Sequence, residues 1–177
     1  MSGIITLSLT LNTEAIQIVA RPSMTTMEQI ISSPLGNLRL QANEVSLISL
    51  EWTGETITRP SENSILKTAC TQLSDYFNNK NNGFNIPLSP CGSEFELAVW
   101  KSMTQIPYGT TVTYGDIAKS TGRPPRAVGT ACGRNPIPII IPCHRVVGSG
   151  GRMVGYSGKG GIETKRWLLA HEGSVLL

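Results

Sequence analysis

The sequence predicts an α+β protein in two parts: a small N-terminal antiparallel β-sheet with one helix, and a mostly helical C-terminal half built around a helix-turn-helix. Three observations carry that expectation. Residues 27–52 hold short alternating apolar runs separated by turn residues. Residues 65–77 place apolar side chains at helical spacing. Two Ser/Thr-x-x-Asp/Glu helix-start signals follow, Ser93 with Glu96 and Thr113 with Asp116.

In chain order, "MEQIISSPLGNLRLQANEVSLISLEW" (27–52) reads as a strand meander. Pro34-Leu35-Gly36-Asn37 supplies the first turn; Leu38, Leu40 and Ala42 alternate after it, and the pattern resumes at Val45 and Leu47 beyond Asn43-Glu44. Ile65, Ala69 and Leu73, with Leu66 and Phe77 beside them, predict a helix. The polar loop "NNKNNG" (78–83) closes this half. Ser93 opens the next helix, with Phe95, Val99 and Met103 on one face, and "IPYG" (106–109) ends it. Thr113 starts a short helix over roughly Tyr114 to Ser120, which Gly122 stops. Pro124-Pro125 suit the first turn of another helix near 125–134. Two short helices joined through a glycine predict a helix-turn-helix, the second serving as recognition helix with Arg126, Ala127 and Arg134. Asn135-Pro136 ends that helix. "IPIIIPC" is then expected to run extended and buried, followed by a flexible loop over 148–161. The last helix is "IETKRWLLAHEG", with Gly173 as its stop.

Composition narrows the function classes. A chain of 177 residues suffices for one ordinary domain or two small ones. No stretch approaches the ~18–20 apolar residues that span a bilayer. The N-terminal segment is interrupted by Glu14 and has no cationic start, so no signal peptide is expected and the cytoplasm is favoured. Residues 1–90 hold five Lys/Arg against seven Asp/Glu, net −2, and residues 91–177 hold ten against five, net +5. A basic C-terminal half suits a polyanion. Cys70, Cys91, Cys132 and Cys143 form no CxxC pair and lack histidines at ligand spacing, which gives a zinc site no support. Cys70 and Cys91 are expected to be small buried hydrophobes. The glycine-rich loop is not a phosphate loop: Lys159 is followed by Gly160 rather than Ser/Thr, and Met153 stands where a glycine is required.

The chemistry concentrates in "IPCHRVVG" (141–148), which holds one of only two histidines. A thiol attacks as thiolate, so Cys143 needs a base or a positive field. His144 is adjacent, but neighbours in an extended strand point to opposite faces. Direct contact would need a turn here, or a bridging water. Glu172, in the last turn of a helix, opposes the helix dipole, and a hydrogen bond to an imidazole would compensate it. His171 is expected to be a dipole-favoured surface residue.

"NPIPIIIPCHRVVGSGG", followed by "VGYSG" and "KRWLLAHEG", closely resembles the O6-alkylguanine-DNA alkyltransferases (methylated-DNA–protein-cysteine methyltransferases). The likeness runs nearly continuously from Phe95 to Gly173, and "SPLGNLRL" resembles the family's N-terminal domain less specifically. The resemblance implies a ribonuclease H-like N-terminal domain and a winged helix-turn-helix-like C-terminal domain. It also implies irreversible, single-turnover transfer of an alkyl group from O6-alkylguanine in double-stranded DNA to Cys143, with O4-alkylthymine left open. Cys143 matches the alkyl acceptor, His144 the histidine that takes the thiol proton through a water, and Glu172 the carboxylate that orients it. Asn135 matches a hinge, Arg126 the arginine that fills the gap left by the extruded base, and Tyr114 the tyrosine that helps rotate the target phosphate and protonate the leaving guanine. Val154, Tyr156 and Ser157 fall on the loop lining the guanine pocket, with Lys165 near it. The expected division is residues 1–26 as an extension of uncertain status, 27–88 as the α/β domain and 91–177 as the DNA-binding and alkyl-acceptor domain. No metal or cofactor, no membrane association and a monomer are expected. Two other classes fit parts of the pattern: a cysteine hydrolase, which needs an oxyanion hole and turns over, and an alkyltransferase-like lesion binder, which lacks the cysteine.

Overall fold

The computed structural model describes residues 25–174; the expected N-terminal extension lies outside them, apart from residues 25 and 26. Strands β1 (Met27–Ile31), β2 (Leu38–Ala42) and β3 (Leu47–Trp52) form an antiparallel meander in the order β1-β2-β3. Its register pairs Ile30 with Arg39 and Leu40 with Leu50, and a bulge between Gln41 and Ala42 re-aims the start of β3. Period-two alternation puts Leu38, Leu40 and Ala42 on one face, and that face is buried. Helix α1 (Ser64–Phe77) covers it, capped by the Asn63 carboxamide, which accepts from the Leu66 amide at 2.9 Å. The buried stripe of α1 is Leu66, Ala69, Leu73 and Tyr76, so the helix presents Tyr76 inward, whereas the sequence reading had set Phe77 beside that face. Phe77 is only half-buried.

The C-terminal half is α2 (Glu94–Thr104), α3 (Tyr114–Thr121), α4 (Pro125–Gly133) and α5 (Ile162–His171). Both expected capping boxes are complete, with each N-cap hydroxyl accepting from the N3 amide and each N3 carboxylate accepting from the N-cap amide. Gly122 ends α3 at φ +65°, a conformation costly for any residue with a Cβ, and this sets the turn into α4. Trp100 Nε1 donates to the Ala131 carbonyl at 2.8 Å and pins α2 against α4.

A two-residue parallel ladder joins β4 (Val112–Thr113) to β5 (Val146–Val147). It has a functional consequence: β4 leads directly into Tyr114, and β5 directly follows Cys143-His144-Arg145. The helix-turn-helix and the cysteine turn are thereby fixed in register. One apolar cluster runs from Leu38, Leu40 and Leu73 through Val99 and Met103 to Ile137, Ile139 and Ile141.

Three expectations need correction. The segment 137–142 is buried but not extended. It folds back on itself, with the Ile141 amide donating to the Ile137 carbonyl at 2.9 Å and Ile139 held at φ +74°. A β-branched residue in that region is strained, by about 1–3 kcal/mol, and stays there only because Ile139 is fully enclosed. Pro136, Pro138 and Pro142 break any ladder, and the apolar run concealed that. Cys143–Arg145 likewise forms a 3₁₀ turn rather than strand. Finally, Cys91, in the loop before α2, is exposed, and Cys70, on α1 outside its buried stripe, is half-buried.

Candidate active site

Asn135 shapes the turn that carries the cysteine. Its Nδ2 donates to the Ile141 carbonyl at 2.7 Å, and its Oδ1 accepts from the Ile137 amide at 3.0 Å, closing the 135–141 loop from inside. The loop ends with Cys143 at the first position of the 3₁₀ turn, where its side chain lines a cleft of about 800 Å³. Tyr114, Arg126 and Cys132 come to that cleft from α3 and α4, and Val154, Tyr156 and Ser157 from the glycine-rich loop. Trp52 of β3 packs edge-on against Tyr156, with ring centroids 6.3 Å apart, tying this loop to the N-terminal sheet.

Behind the thiol lies a closed ionic cluster. His144, wholly buried, is joined through Nε2 to Glu172 Oε1 at 2.7 Å. Arg145 donates to the same carboxylate twice, Nε to Oε2 at 2.8 Å and Nη2 to Oε1 at 3.0 Å, and its Nη1 donates to the Ile106 carbonyl at 2.6 Å. Tyr76 of α1 donates its hydroxyl to Oε1 at 2.8 Å, and the Gly109 amide reaches Oε2 at 3.3 Å. Gly109 is required here: its φ is +73°, and a Cβ would sit 2.9 Å from the Glu172 carbonyl oxygen. Burial pushes the Glu172 carboxyl up, but the His144 and Arg145 hydrogen bonds and charges overcome it, leaving a pKa of about 2. Burial pulls His144 down against the pull of Glu172.

These directions fix the tautomer. An ionised carboxylate only accepts, so Nε2 donates; in a neutral imidazole the lone pair then sits on Nδ1. Nδ1 is buried and has no hydrogen-bond partner among the described residues, which leaves it free to take a proton.

The thiol itself is raised by burial and drawn back by Asn135, Lys165 and Tyr156. Lys165 is buried, its ammonium donating to the Val146 and Val154 carbonyls and lying 5.8 Å from the Tyr114 ring centroid. Burial lowers its pKa, while the two thiols at 143 and 132 raise it. Burial, with the same two thiols, pushes Tyr114 up to about 12, so its phenol keeps its proton at neutral pH.

The structure thus brings Cys143, Tyr114, Arg126, Val154, Tyr156 and Ser157 to one cleft, with His144, Glu172 and Lys165 packed behind it. Ala127 is half-buried on α4 and Asn135 supports from beneath. Arg134 does not line the cleft. It follows the last turn of α4, largely exposed, and pairs with Glu96 at 3.0 Å. His171 is no plain surface residue, since it stacks on Trp167 and its Nε2 lies 2.8 Å from the Tyr76 carbonyl. Sequence reasoning missed Tyr76, Arg145 and Cys132. Arg145 could have been found, since a cation inside "IIIPCHRVV" must be paired if that run is buried; Tyr76 continues the 66-69-73 spacing. Cys132 carried no local signal. Among the described residues, no group of three or more His, Cys, Asp or Glu is placed to hold a metal.

Fold and site together define a protein in which a helix-turn-helix is locked by a short ladder to a buried cysteine, with a hydrogen-bonded His144–Glu172 pair next to it. The chain matches the sequence profile of the 6-O-methylguanine DNA methyltransferase DNA-binding domain over residues 94–174, and that of the same family's ribonuclease-like domain over 27–90. It therefore belongs to the 6-O-methylguanine DNA methyltransferase family. It is 43% identical over 151 residues to a methylated-DNA–protein-cysteine methyltransferase of Methanosarcina barkeri, covering 81% of this chain and 94% of that one. To its Mycobacterium leprae counterpart it is 42% identical over 150 residues, covering 80% and 89%. The fold superposes on the crystal structure of Mycobacterium tuberculosis O6-methylguanine methyltransferase with a TM-score of 0.74 at 39% identity, over 84% of this chain and 93% of that one. The mycobacterial protein in complex with DNA gives 0.73 at 41%, over 82% and 92%.

Proposed function

We propose that this chain repairs double-stranded DNA by direct reversal, moving the alkyl group of O6-alkylguanine irreversibly onto its own Cys143. What supports the reading is a buried thiol, Cys143, lining a cleft that Tyr114 also lines, with the neighbouring His144 hydrogen-bonded to Glu172. O6 of a stacked guanine is out of reach, so the nucleotide must be extruded into the cleft, at a cost of a few kcal/mol. Arg126, exposed on α4 at the cleft rim, fills the vacancy in the duplex. The Cys143 proton passes through a water to His144 Nδ1, and Glu172 stabilises the imidazolium. The thiolate attacks the alkyl carbon; the S–C bond forms as the C–O bond to guanine breaks. Tyr114, still protonated, donates toward the departing base. Lys165 supports the thiolate by its charge. Water does not cleave the thioether, so each molecule acts once.

Residues 27–88 serve as the α/β support and 91–177 as the DNA-binding and acceptor unit, acting as a monomer. No helix of the described residues is long and apolar enough to cross a membrane. All four cysteines are free thiols, which supports a reducing, cytoplasmic setting. The test is mass spectrometry after mixing with an O6-methylguanine duplex. One methyl should appear on the Cys143 peptide, and Cys143→Ala should bind the duplex without gaining mass. Unchanged mass in the wild type refutes the reading, and repeated turnover would point to a hydrolase instead.

A further inference from the structure

The proton relay is not confined to the C-terminal half. Glu172 Oε1 accepts from three donors, His144 Nε2 at 2.7 Å, Tyr76 Oη at 2.8 Å and Arg145 Nη2 at 3.0 Å; Oε2 accepts from Arg145 Nε and the Gly109 amide. Tyr76 comes from α1, 96 positions earlier in the chain, and is wholly buried. We propose that Tyr76 is a positioning residue of this relay, its hydroxyl fixing the Glu172 oxygen that holds His144 and limiting how strongly that oxygen attracts the imidazole proton. This rests on the alkyl-transfer reading for its purpose, though not for its physics.

The argument is one of competition. A carboxylate oxygen offers about two lone-pair sites, so three donors on Oε1 compete for them and each is held less strongly than if there were two. Arg145 cannot take up the slack, because its remaining Nη1 is committed to the Ile106 carbonyl. The two nearby titratable groups on other elements are placed elsewhere: Tyr108 donates to the His171 carbonyl at 3.2 Å, and His171 Nε2 lies 2.8 Å from the Tyr76 carbonyl. Lys165 acts on His144 by charge and opposes its protonation. Packing alone does not require the hydroxyl. The Tyr76 ring sits among Phe77, Phe84, Tyr108 and His171, contacts that phenylalanine would keep. Removing the hydroxyl therefore shifts Oε1 toward His144 and makes the imidazole a stronger base, the opposite of what losing Glu172 does.

The readout is the titration of His144, followed through the ¹⁵N shifts of its ring in the full chain. Tyr76→Phe should move the midpoint up by roughly 0.5–1 pH unit, as expected for loss of a hydrogen bond to a charged group partly shared with others. The acid limb of the Cys143 methylation rate should move the same way, lowering the rate below that limb about three- to tenfold and leaving the alkaline plateau within about twofold. Should Tyr76→Phe not fold, 3-fluorotyrosine at position 76, a stronger donor of nearly the same shape, should move the midpoint down. Tyr108→Phe, whose hydroxyl does not reach Glu172, should leave it in place. An unmoved His144 midpoint in the Tyr76 variants overturns the proposal even if they are less stable. A wild type that fails to methylate would sink the functional reading instead and leave this titration standing.

Discussion

The two sides of Cys143 are built on opposite principles. Behind it, His144, Arg145, Glu172, Lys165 and Tyr76 are all buried, and each charge is matched by a partner or a carbonyl. In front, Arg126 is exposed, the lining loop is rich in glycine, and Val154 is 42% exposed. The back half can hold charge in the core only while its network is complete. The front half carries little of the fold, so its residues are free to be chosen for DNA and base. Single substitutions should accordingly damage stability on one side and function on the other.

The largest break in that contrast should come from Glu172→Gln. The Arg145 guanidinium loses its counter-charge inside the core, and a loss of about 3–5 kcal/mol in denaturant unfolding is expected. Replacing Arg145 by Met as well should recover part of it, since the uncompensated charge goes too. The pH dependence carries the same signature. Glu172 sits far below its ordinary value, so its contribution is present above about pH 4.3 and fades as pH falls through about 2. His144 is lowered by burial, so the unfolded chain takes up its proton first and stability also falls as pH drops below about 6.5. The variant should keep the His144 decline and lose the Glu172 part of the acid one. An acid profile identical to the wild type would mean that the carboxylate is not held as described.

Arg126→Ala addresses the other side. No shift in unfolding beyond about 0.5 kcal/mol is expected, because the side chain is exposed on α4. Transfer from an O6-methylguanine duplex should fall roughly ten- to a hundredfold, matching the few kcal/mol of base extrusion that it offsets. Transfer from a free O6-alkylguanine base should stay within about threefold. Equal losses on both substrates would remove Arg126 from the flipping step and place it in the pocket chemistry.

The same contrast explains what was legible in the sequence. Capping boxes, the glycine stop after α3 and the helical spacing of α1 are local signals, and the helix bounds follow them closely. The path of 137–142 was not legible: "IPIIIP" reads as strand by hydrophobicity, and the reversal shows only in the fold, in the Ile141–Ile137 hydrogen bond and in Ile139 at positive φ, stabilised by surrounding burial. The buried cluster around Glu172 was half legible. Cys143, His144 and Glu172 were singled out through a dipole argument and the family likeness, and the fold brings His144 and Glu172 into contact. Tyr76 and Arg145 were not reached, since long-range partners of a buried carboxylate leave no periodic mark. The Ile137–Ile141 hydrogen bond and the 3₁₀ turn also answer the adjacency question. His144 turns inward to Glu172, and the order Cys-His does not make a touching pair.

The smallest effect should come from Arg134, which does not line the cleft and is largely exposed. Its guanidinium pairs with Glu96, whose carboxylate already closes the α2 capping box and is held near a pKa of about 2 by Ser93 first and Arg134 second. With the arginine side chain 70% exposed, the pair is screened, and Arg134→Ala should leave the unfolding transition almost where it is. Methyl transfer from a free base should be unchanged. Duplex binding decides the residue's place. If Arg134 touches a phosphate, the variant binds more weakly at low salt and loses about one unit from the slope of log affinity against log salt. If it serves only α2, slope and affinity match the wild type. The pairing with Glu96 favours the second outcome, and a full unit of lost slope would return Arg134 to the DNA-contacting face.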